Sequence, residues 1–211
     1  MLRTLERVVP ARPGRPDIDG TDHPMRLVTV EVAAGGGWDP ARAAAVEALF
    51  DGVAAGWSAR VAGEADAPVG DAFARGGLPA GGRCVEIGSG AGDVTPLLAA
   101  AYQPVVCVDL SREMLAHAPS EPGRRVRADA SRLPIASGSV DAVAVVNAFL
   151  FADEVDRVLA PGGAVLWVST LGDRTPIYLP PSVVLDRLPG EWDGVSAAAG
   201  WGEWLVARRS A

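Results

Sequence analysis

Strand-like and helical segments alternate along the middle of the chain, and this alternation constrains the fold more than any other feature. The apolar runs CVEI (84–87), VVCVDL (105–110) and AVLWVST (164–170) are separated by segments of helical character. A further run, VDAVAVVNAF (140–149), is apolar almost throughout, which is typical of a strand covered on both faces. The pattern predicts an α/β fold with a doubly wound, mostly parallel sheet, whose core lies within residues 83–170.

The flanking segments predict the remainder of a single domain over residues 25–211. Asp39-Pro40 is a typical helix opening, with Asp as the N-cap and Pro at the first helical position. We therefore expect N-terminal helices over residues 38–80, lying above the site. For residues 171–211 the sequence pattern predicts a short helix followed by a pair of antiparallel strands at the sheet edge. This pair completes a seven-stranded sheet.

Residues 1–24 differ in character from the rest of the chain. They contain four prolines and mixed charges without hydrophobic periodicity. Such a composition predicts a loose N-terminal tail. It also leaves Met25 as an alternative natural start of the protein.

The charge balance and the cysteine content exclude several classes of function. The formal net charge of −7 argues against non-specific binding to nucleic acid or to an anionic membrane. All 19 basic residues are arginines, which excludes lysine Schiff-base chemistry and the Walker P-loop. Cys84 and Cys107 lie in apolar runs and predict buried free thiols, as expected of a cytoplasmic protein. No apolar run is long enough to span a bilayer.

The first strand and the loop after it read VEIGSGAGDVT (85–95), with three glycines at alternate positions that need a physical reason. Gly88, Gly90 and Gly92 lose more conformational freedom on folding than other residues would, so a sharp turn or a close ligand must require them. Ligands of open parallel sheets bind beyond the carboxyl ends of the strands, where this loop lies. A dinucleotide-binding loop would need a small residue at the position of Asp93, so this loop does not fit that class.

The loop resembles motif I of the class I S-adenosylmethionine-dependent methyltransferases, and further segments match in the same order. The second strand ends in the acidic Asp109, and the third ends in Asp129-Ala130. The segment EVDRVLAPGGAVLWVS (154–169) resembles the helix–PGG–strand signature of that family. The resemblance covers about residues 83–170 and implies a Rossmann-like fold, with S-adenosylmethionine as the methyl donor and a small-molecule acceptor as the partner.

The resemblance also implies roles for individual residues. Asp109 is expected to hold both ribose hydroxyls, and Leu110 to pack on the adenine. Asp129 is expected to accept the adenine amino group, while the Ala130 N–H donates to a ring nitrogen. The remaining residues expected at the cofactor are Glu86, Gly88, Ser89, Gly90, Gly92 and Asn147.

Neither a catalytic residue nor a metal site is predicted from the sequence. His23 and His117 are interpreted as surface residues, so we expect catalysis without a histidine base. The alternative from another class is a non-catalytic protein that binds S-adenosylmethionine or S-adenosylhomocysteine in a methyltransferase-like fold. An NAD(P)-dependent oxidoreductase is disfavoured, since the chain has no Tyr-x-x-x-Lys pair. The acceptor and the oligomeric state stay open at this point.

Overall fold

A single twisted sheet organises the protein in the computed structural model, which describes residues 1–14 and 16–210. Within these residues the sheet has eight strands. The strands are β1 (Leu2–Thr4), β2 (Cys84–Ile87), β3 (Val105–Asp109), β4 (Arg124–Arg127), β5 (Val140–Val146), β6 (Leu159–Ser169), β7 (Trp192–Ala199) and β8 (Gly202–Arg209).

The strand order is β1-β7-β8-β6-β5-β2-β3-β4, and every neighbouring pair is parallel except those that include β8. Strand β2 pairs with β3 on one side and with β5 on the other. After β2 the chain therefore builds outwards through β3 and β4, then crosses back to build the opposite half. This reversal opens a crevice at the carboxyl ends of β2, β3 and β5, where ligands of such sheets bind.

The helices flank the sheet, and one of them begins at the Asp39-Pro40 opening that the sequence predicts. The Asp39 carboxylate accepts a hydrogen bond from the Arg42 N–H at 2.8 Å, with Pro40 at the first position. The Ser111 hydroxyl caps a second helix by accepting from the Met114 N–H at 3.0 Å. The helices are α1 (Pro24–Ala33), α2 (Pro40–Val53), α3 (Trp57–Val61), α4 (Asp66–Arg75), α5 (Thr95–Ala99), α6 (Arg112–His117), α7 (Ala152–Val158) and α8 (Pro181–Arg187).

Both faces of the sheet are buried, as the nearly continuous apolar strands predict. Val143 and Val145 of β5 face one core cluster, whereas Ala142 and Ala144 face the other. Cys84 and Cys107 are free and buried, in agreement with the expectation of two free thiols. No helix in the described ranges has the length and apolar character needed to cross a bilayer.

The N-terminal segment differs from the prediction of a loose tail over residues 1–24. Strand β1 pairs in parallel with β7, with Leu2 opposite Gly194, and adds an eighth strand beyond the antiparallel pair. Gly20 is buried, and its N–H donates to the Arg174 carbonyl at 2.9 Å. The pairing is missed because a three-residue strand carries no periodicity and its partner lies about 190 residues away in the chain.

Two further boundaries also differ from the sequence expectation. Helix α1 is not predicted; its N-cap is His23, whose ring nitrogen accepts from the Met25 N–H at 3.2 Å. Strand β6 begins at Leu159 rather than at residue 164, because Leu159 pairs with Val140 before a register irregularity in β5.

A buried carboxylate fastens α4 to the antiparallel strand, and its removal should be costly. Asp71 accepts from Arg75 Nε at 2.7 Å and from the Trp204 indole N–H at 2.8 Å. We expect Asp71→Ala to lower the free energy of unfolding by about 2–4 kcal/mol, because it leaves the Trp204 N–H unpaired in the core. Urea unfolding measures the change, with the exposed Asp186→Ala as a control that should stay within about 0.5 kcal/mol. A similarly small effect at Asp71 would contradict this role.

Candidate active site

An open cavity lies at the carboxyl ends of the central strands. Its floor is formed by the segments that follow β2, β3, β4, β5 and β6. Its roof is formed by side chains of α2 and α3, including Phe50 and Trp57. The N-terminal helices thus cover the point of strand reversal, as expected for residues 38–80.

Two glycines of the loop after β2 meet different requirements. Gly88 has a left-handed φ of 67°, and a Cβ there would lie 2.5 Å from the Cβ of Ala148. Packing against the neighbouring loop therefore excludes any side chain at Gly88. Gly90 is also left-handed, with φ of 55°, but a Cβ there would make only ordinary contacts, at 3.5 Å from Trp57 Nε1 and 4.0 Å from Met114 Sδ. The space beside Gly90 is the cavity itself.

The third glycine of the loop lies away from the cavity. Gly92 has φ of 80° and donates its N–H to the Ser89 carbonyl at 2.9 Å, which closes the turn. A Cβ there would approach Ala118 and Pro119 rather than the cavity. Gly92, which the resemblance places at the cofactor, is therefore a turn residue, and Ser89 is the neighbour that lines the cavity.

Asp109 joins the loops after β2 and β3. Its Oδ2 accepts from the Gly90 N–H at 2.7 Å, and its Oδ1 accepts from the Ser111 N–H at 2.8 Å. Burial raises the pKa of Asp109, while the N–H groups of Gly90, Ser111 and Leu110 oppose that rise. Each oxygen keeps one further lone pair, so the carboxylate can accept two more hydrogen bonds from hydroxyl groups.

Asp129 makes a contact that the sequence does not predict. Its Oδ1 accepts from the Ser131 N–H at 2.8 Å, and the Trp38 indole N–H donates to both oxygens at 3.1 and 3.0 Å. Trp38 also packs on Phe149 and Phe151, with ring centroids 5.5 and 5.2 Å away. Trp38, which lies just before α2, is thereby anchored to the Asp129 carboxylate, which follows β4.

Glu86 is buried at the base of the cavity. Its Oε2 accepts from the Thr95 hydroxyl at 2.6 Å. Burial raises the pKa of Glu86 to about 7, against the opposing effect of that hydrogen bond. A cation in the cavity would restore the ionised form, so this position favours a positively charged ligand.

A second group of polar residues lies after β5 and β6. Asn147 has an unusual positive φ of 50°. Its side-chain oxygen accepts from the Thr170 N–H at 2.9 Å, and its Nδ2 donates to the Thr170 hydroxyl at 2.8 Å. That hydroxyl donates to Oε2 of Glu64 at 3.0 Å. Glu64 and Thr170 are not predicted from the sequence, because 106 residues separate them and neither lies in a motif.

The cavity brings together nine of the ten predicted cofactor residues. They are Glu86, Gly88, Ser89, Gly90, Asp109, Leu110, Asp129, Ala130 and Asn147. The described lining residues include six carboxyl side chains and no arginine, lysine or histidine. Neither histidine of the chain lines the cavity, which agrees with the expectation that they are surface residues.

Comparison with known proteins places this geometry in a family context. Residues 85–167 match the family model described as "Methyltransferase domain". A malonyl-[acyl-carrier protein] O-methyltransferase of Methylococcus capsulatus is 34% identical over 111 residues, which are 46% of this chain and 40% of that protein. The chain thus matches less than half the length of this curated relative.

Two solved structures share the fold at low sequence identity. The DhpI–SAH complex is 20% identical with a TM-score of 0.65, over 80% of this chain and 97% of that one. A protein of Methanococcus maripaludis, described as a candidate S-adenosyl-L-methionine-dependent methyltransferase, is 17% identical with a TM-score of 0.55, over 78% and 92%. Residues 85–167 therefore match a methyltransferase-domain model, and the chain shares its fold with these two solved structures.

Proposed function

We propose that the protein transfers a methyl group from S-adenosylmethionine to a small-molecule acceptor. The observation that carries the proposal is the convergence of Gly90, Asp109 and Asp129 on one cavity at the strand reversal. Glycine backbone and two carboxylates at successive strand ends fit an adenosine, whose hydroxyl and amino groups are hydrogen-bond donors. The family match over residues 85–167 supports the same assignment.

Each of the predicted cofactor residues would bind a different part of S-adenosylmethionine. Asp109 would hold the ribose hydroxyls through its remaining lone pairs, and Leu110 would pack on the adenine. Asp129 would accept the adenine amino group, and the Ala130 N–H would bind a ring nitrogen. The loop from Glu86 to Gly90 and the Asn147 backbone would enclose the methionine part, with the Glu86 carboxylate facing its positive charge.

The chain's own contribution to methyl transfer is binding, alignment and exclusion of water. Bound S-adenosylmethionine supplies the activated methyl group. Phe50 and Trp57 above the cavity and Phe149 at its side form apolar walls that exclude water from the reacting groups. Holding the acceptor in line with the methyl group then supplies most of the rate acceleration that such a displacement needs.

Two measurements test the proposal directly. Calorimetric titration with S-adenosylhomocysteine, beside NAD, identifies the class of cofactor. Release of S-adenosylhomocysteine over a panel of alcohols, amines, thiols and carboxylates tests turnover. Binding of NAD in place of S-adenosylhomocysteine overturns the cofactor assignment, and binding without release from any acceptor supports the non-catalytic alternative.

A substitution at Gly90 can separate its role at the cavity from the strain of its left-handed backbone. Gly90→Ala should weaken S-adenosylhomocysteine binding by at least ~10-fold, because its Cβ points into the cavity. Gly138→Ala is the matched control, since Gly138 has φ of 62° and an open surrounding away from the cavity. Both variants should lose about 1–2 kcal/mol of stability from the left-handed conformation. Equal affinities in the two variants would mean that Gly90 serves only the turn.

The second prediction concerns the ribose. Asp109→Ala should weaken S-adenosylhomocysteine binding by at least ~10-fold, since each hydrogen bond to a charged group contributes about 1.5–3 kcal/mol. The same carboxylate also anchors the Gly90 loop, so the ribose contribution must be isolated. An analogue without ribose hydroxyls should bind wild type and Asp109→Ala with similar affinity. If the free-energy loss from Asp109→Ala and the loss from removing the ribose hydroxyls simply add, the effect of Asp109→Ala lies in the loop alone.

The third prediction concerns the adenine. Asp129→Ala and Trp38→Phe both remove the bond between the indole and the carboxylate, but only the first removes the acceptor for the adenine amino group. Asp129→Ala should therefore lose discrimination against an S-adenosylhomocysteine analogue that lacks the amino group, whereas Trp38→Phe should keep it. The two Kd values of each variant, measured by calorimetry, give the ratio. A retained ratio in Asp129→Ala would remove Asp129 from adenine recognition.

A further inference from the structure

Glu64 lines the cavity and has a buried carboxyl oxygen that no group of the described residues binds. The residue lines the cavity and is only 6% exposed, and its Oε1 has no hydrogen-bond partner. The turn that carries it is fixed on both sides: the Glu64 N–H donates to the Val61 carbonyl at 3.1 Å, and the Arg12 guanidinium donates to the Gly63 carbonyl at 2.6 Å. A buried polar atom without a partner is uncommon and needs a reason.

The hydrogen bonds around Glu64 fix which groups donate. The Thr170 backbone N–H can only donate, so the Asn147 atom that it binds is the amide oxygen. Asn147 Nδ2 is then the donor to the Thr170 hydroxyl, and the hydroxyl in turn donates a hydrogen bond to Glu64 Oε2. The remaining oxygen, Oε1, is thus free to accept a hydrogen bond from a ligand.

Glu64 lies at the opposite end of the cavity from the adenosine residues. Its partner Thr170 follows β6, whereas Asp109 ends β3, and the sheet order between them is β6-β5-β2-β3. Three strand spacings of about 4.8 Å place these two strand ends about 14 Å apart. A cofactor whose adenosine lies at Asp109 therefore leaves the Glu64 end for the group that receives the methyl.

The charges around this end of the cavity select against anions. All ionisable side chains among the described lining residues are carboxylic acids. Arg60, whose charge lowers the pKa of Glu64, stacks over the Trp57 ring at 4.6 Å and does not line the cavity. An anionic acceptor would enter a field of like charge, whereas a neutral or cationic one would not.

We propose that Glu64 binds the nucleophilic group of the acceptor and takes its proton, and that the acceptor is an alcohol or amine with an apolar body. This inference rests on the proposed methyl transfer. An acceptor carboxylate, the kind of group a malonyl acceptor carries, does not fit this cavity. The aromatic walls at Phe50, Trp57 and Phe149 suit an apolar body beside the polar end.

The step balances without a further reactant. A lone pair of the acceptor oxygen or nitrogen forms the new bond to the methyl carbon, and the S–CH3 bond pair stays on sulfur. The proton of the acceptor O–H or N–H passes to Glu64 Oε1. Burial raises the pKa of Glu64, opposed by the Thr170 hydroxyl and by the charge of Arg60, so the carboxylate is a stronger base than in water.

Glu64→Gln is the informative variant, and Glu203→Gln is its matched control. Glutamine keeps the bond to Thr170 but removes the charge. Glu203 is a second carboxyl with an unpartnered buried oxygen and a pKa raised by burial, but it lies outside the cavity beside Tyr178. Both variants should bind S-adenosylhomocysteine within about twofold of wild type. A loss of that affinity in Glu64→Gln alone would place Glu64 at the cofactor and overturn the inference.

Probes of equal shape then test the acceptor class. Phenylpropylamine, phenylpropanol and phenylpropanoate are titrated into the protein saturated with S-adenosylhomocysteine. The amine and the alcohol should bind more tightly than the carboxylate, and Glu64→Gln should weaken the amine by at least ~10-fold while Glu203→Gln does not. Equal or absent binding of all three probes, or an unchanged amine affinity in Glu64→Gln, overturns the inference.

Turnover tests the transfer of the proton. With the alcohols or amines that wild type methylates, Glu64→Gln should lower kcat by ~100-fold, the usual contribution of a general base, and Glu203→Gln should retain it. An unchanged kcat in Glu64→Gln overturns the base role. A wild type that binds S-adenosylhomocysteine but methylates carboxylates overturns the inference alone, whereas failure to bind S-adenosylhomocysteine overturns the proposed function itself.

Discussion

The Asp109 carboxylate is the interaction on which the geometry of the cavity depends. It accepts the N–H of Gly90 from the loop after β2 and the N–H of Ser111 from the loop after β3, so it fixes these two neighbouring loops relative to each other. Ser111 in turn caps α6, whose Met114 packs beneath the glycine loop with Ala91. The loop that would hold the cofactor is therefore positioned by an acid that still has lone pairs for a ligand.

Buried acids in this cavity are stabilised incompletely by the protein. Burial raises the pKa values of Glu86 and Asp109, and the hydrogen bonds that they receive do not cancel the effect. Ionised carboxylates without a counter-charge are costly in such surroundings, and a cationic ligand removes part of that cost. The proposed methyl donor has a sulfonium and an ammonium group, so the electrostatics and the proposed chemistry are consistent with each other.

Much of the sheet, and the placement of the residues proposed to bind adenosine, follows from the sequence because local patterns encode them. The run 140–149 is apolar almost throughout, Asp109 ends β3, Asp129 lies two residues beyond β4, and the cap Asp39 acts within one helical turn. Strand β1, in contrast, depends on a partner that lies far along the chain. A local sequence pattern does not record pairing with so distant a strand. The prediction of a loose tail over residues 1–24 was therefore wrong for strand β1.

The same limit applies to the roof of the cavity and has a functional consequence. Trp38 reaches Asp129 across 91 residues, and Glu64 reaches Thr170 across 106, so both contacts arise only when the N-terminal helices close over the sheet. The residues proposed to bind the cofactor lie at and just beyond the strand ends, whereas these two lie on the covering segment. If the covering segment supplies the group that meets the acceptor, acceptor choice can change with that segment while the strand ends keep the cofactor in place.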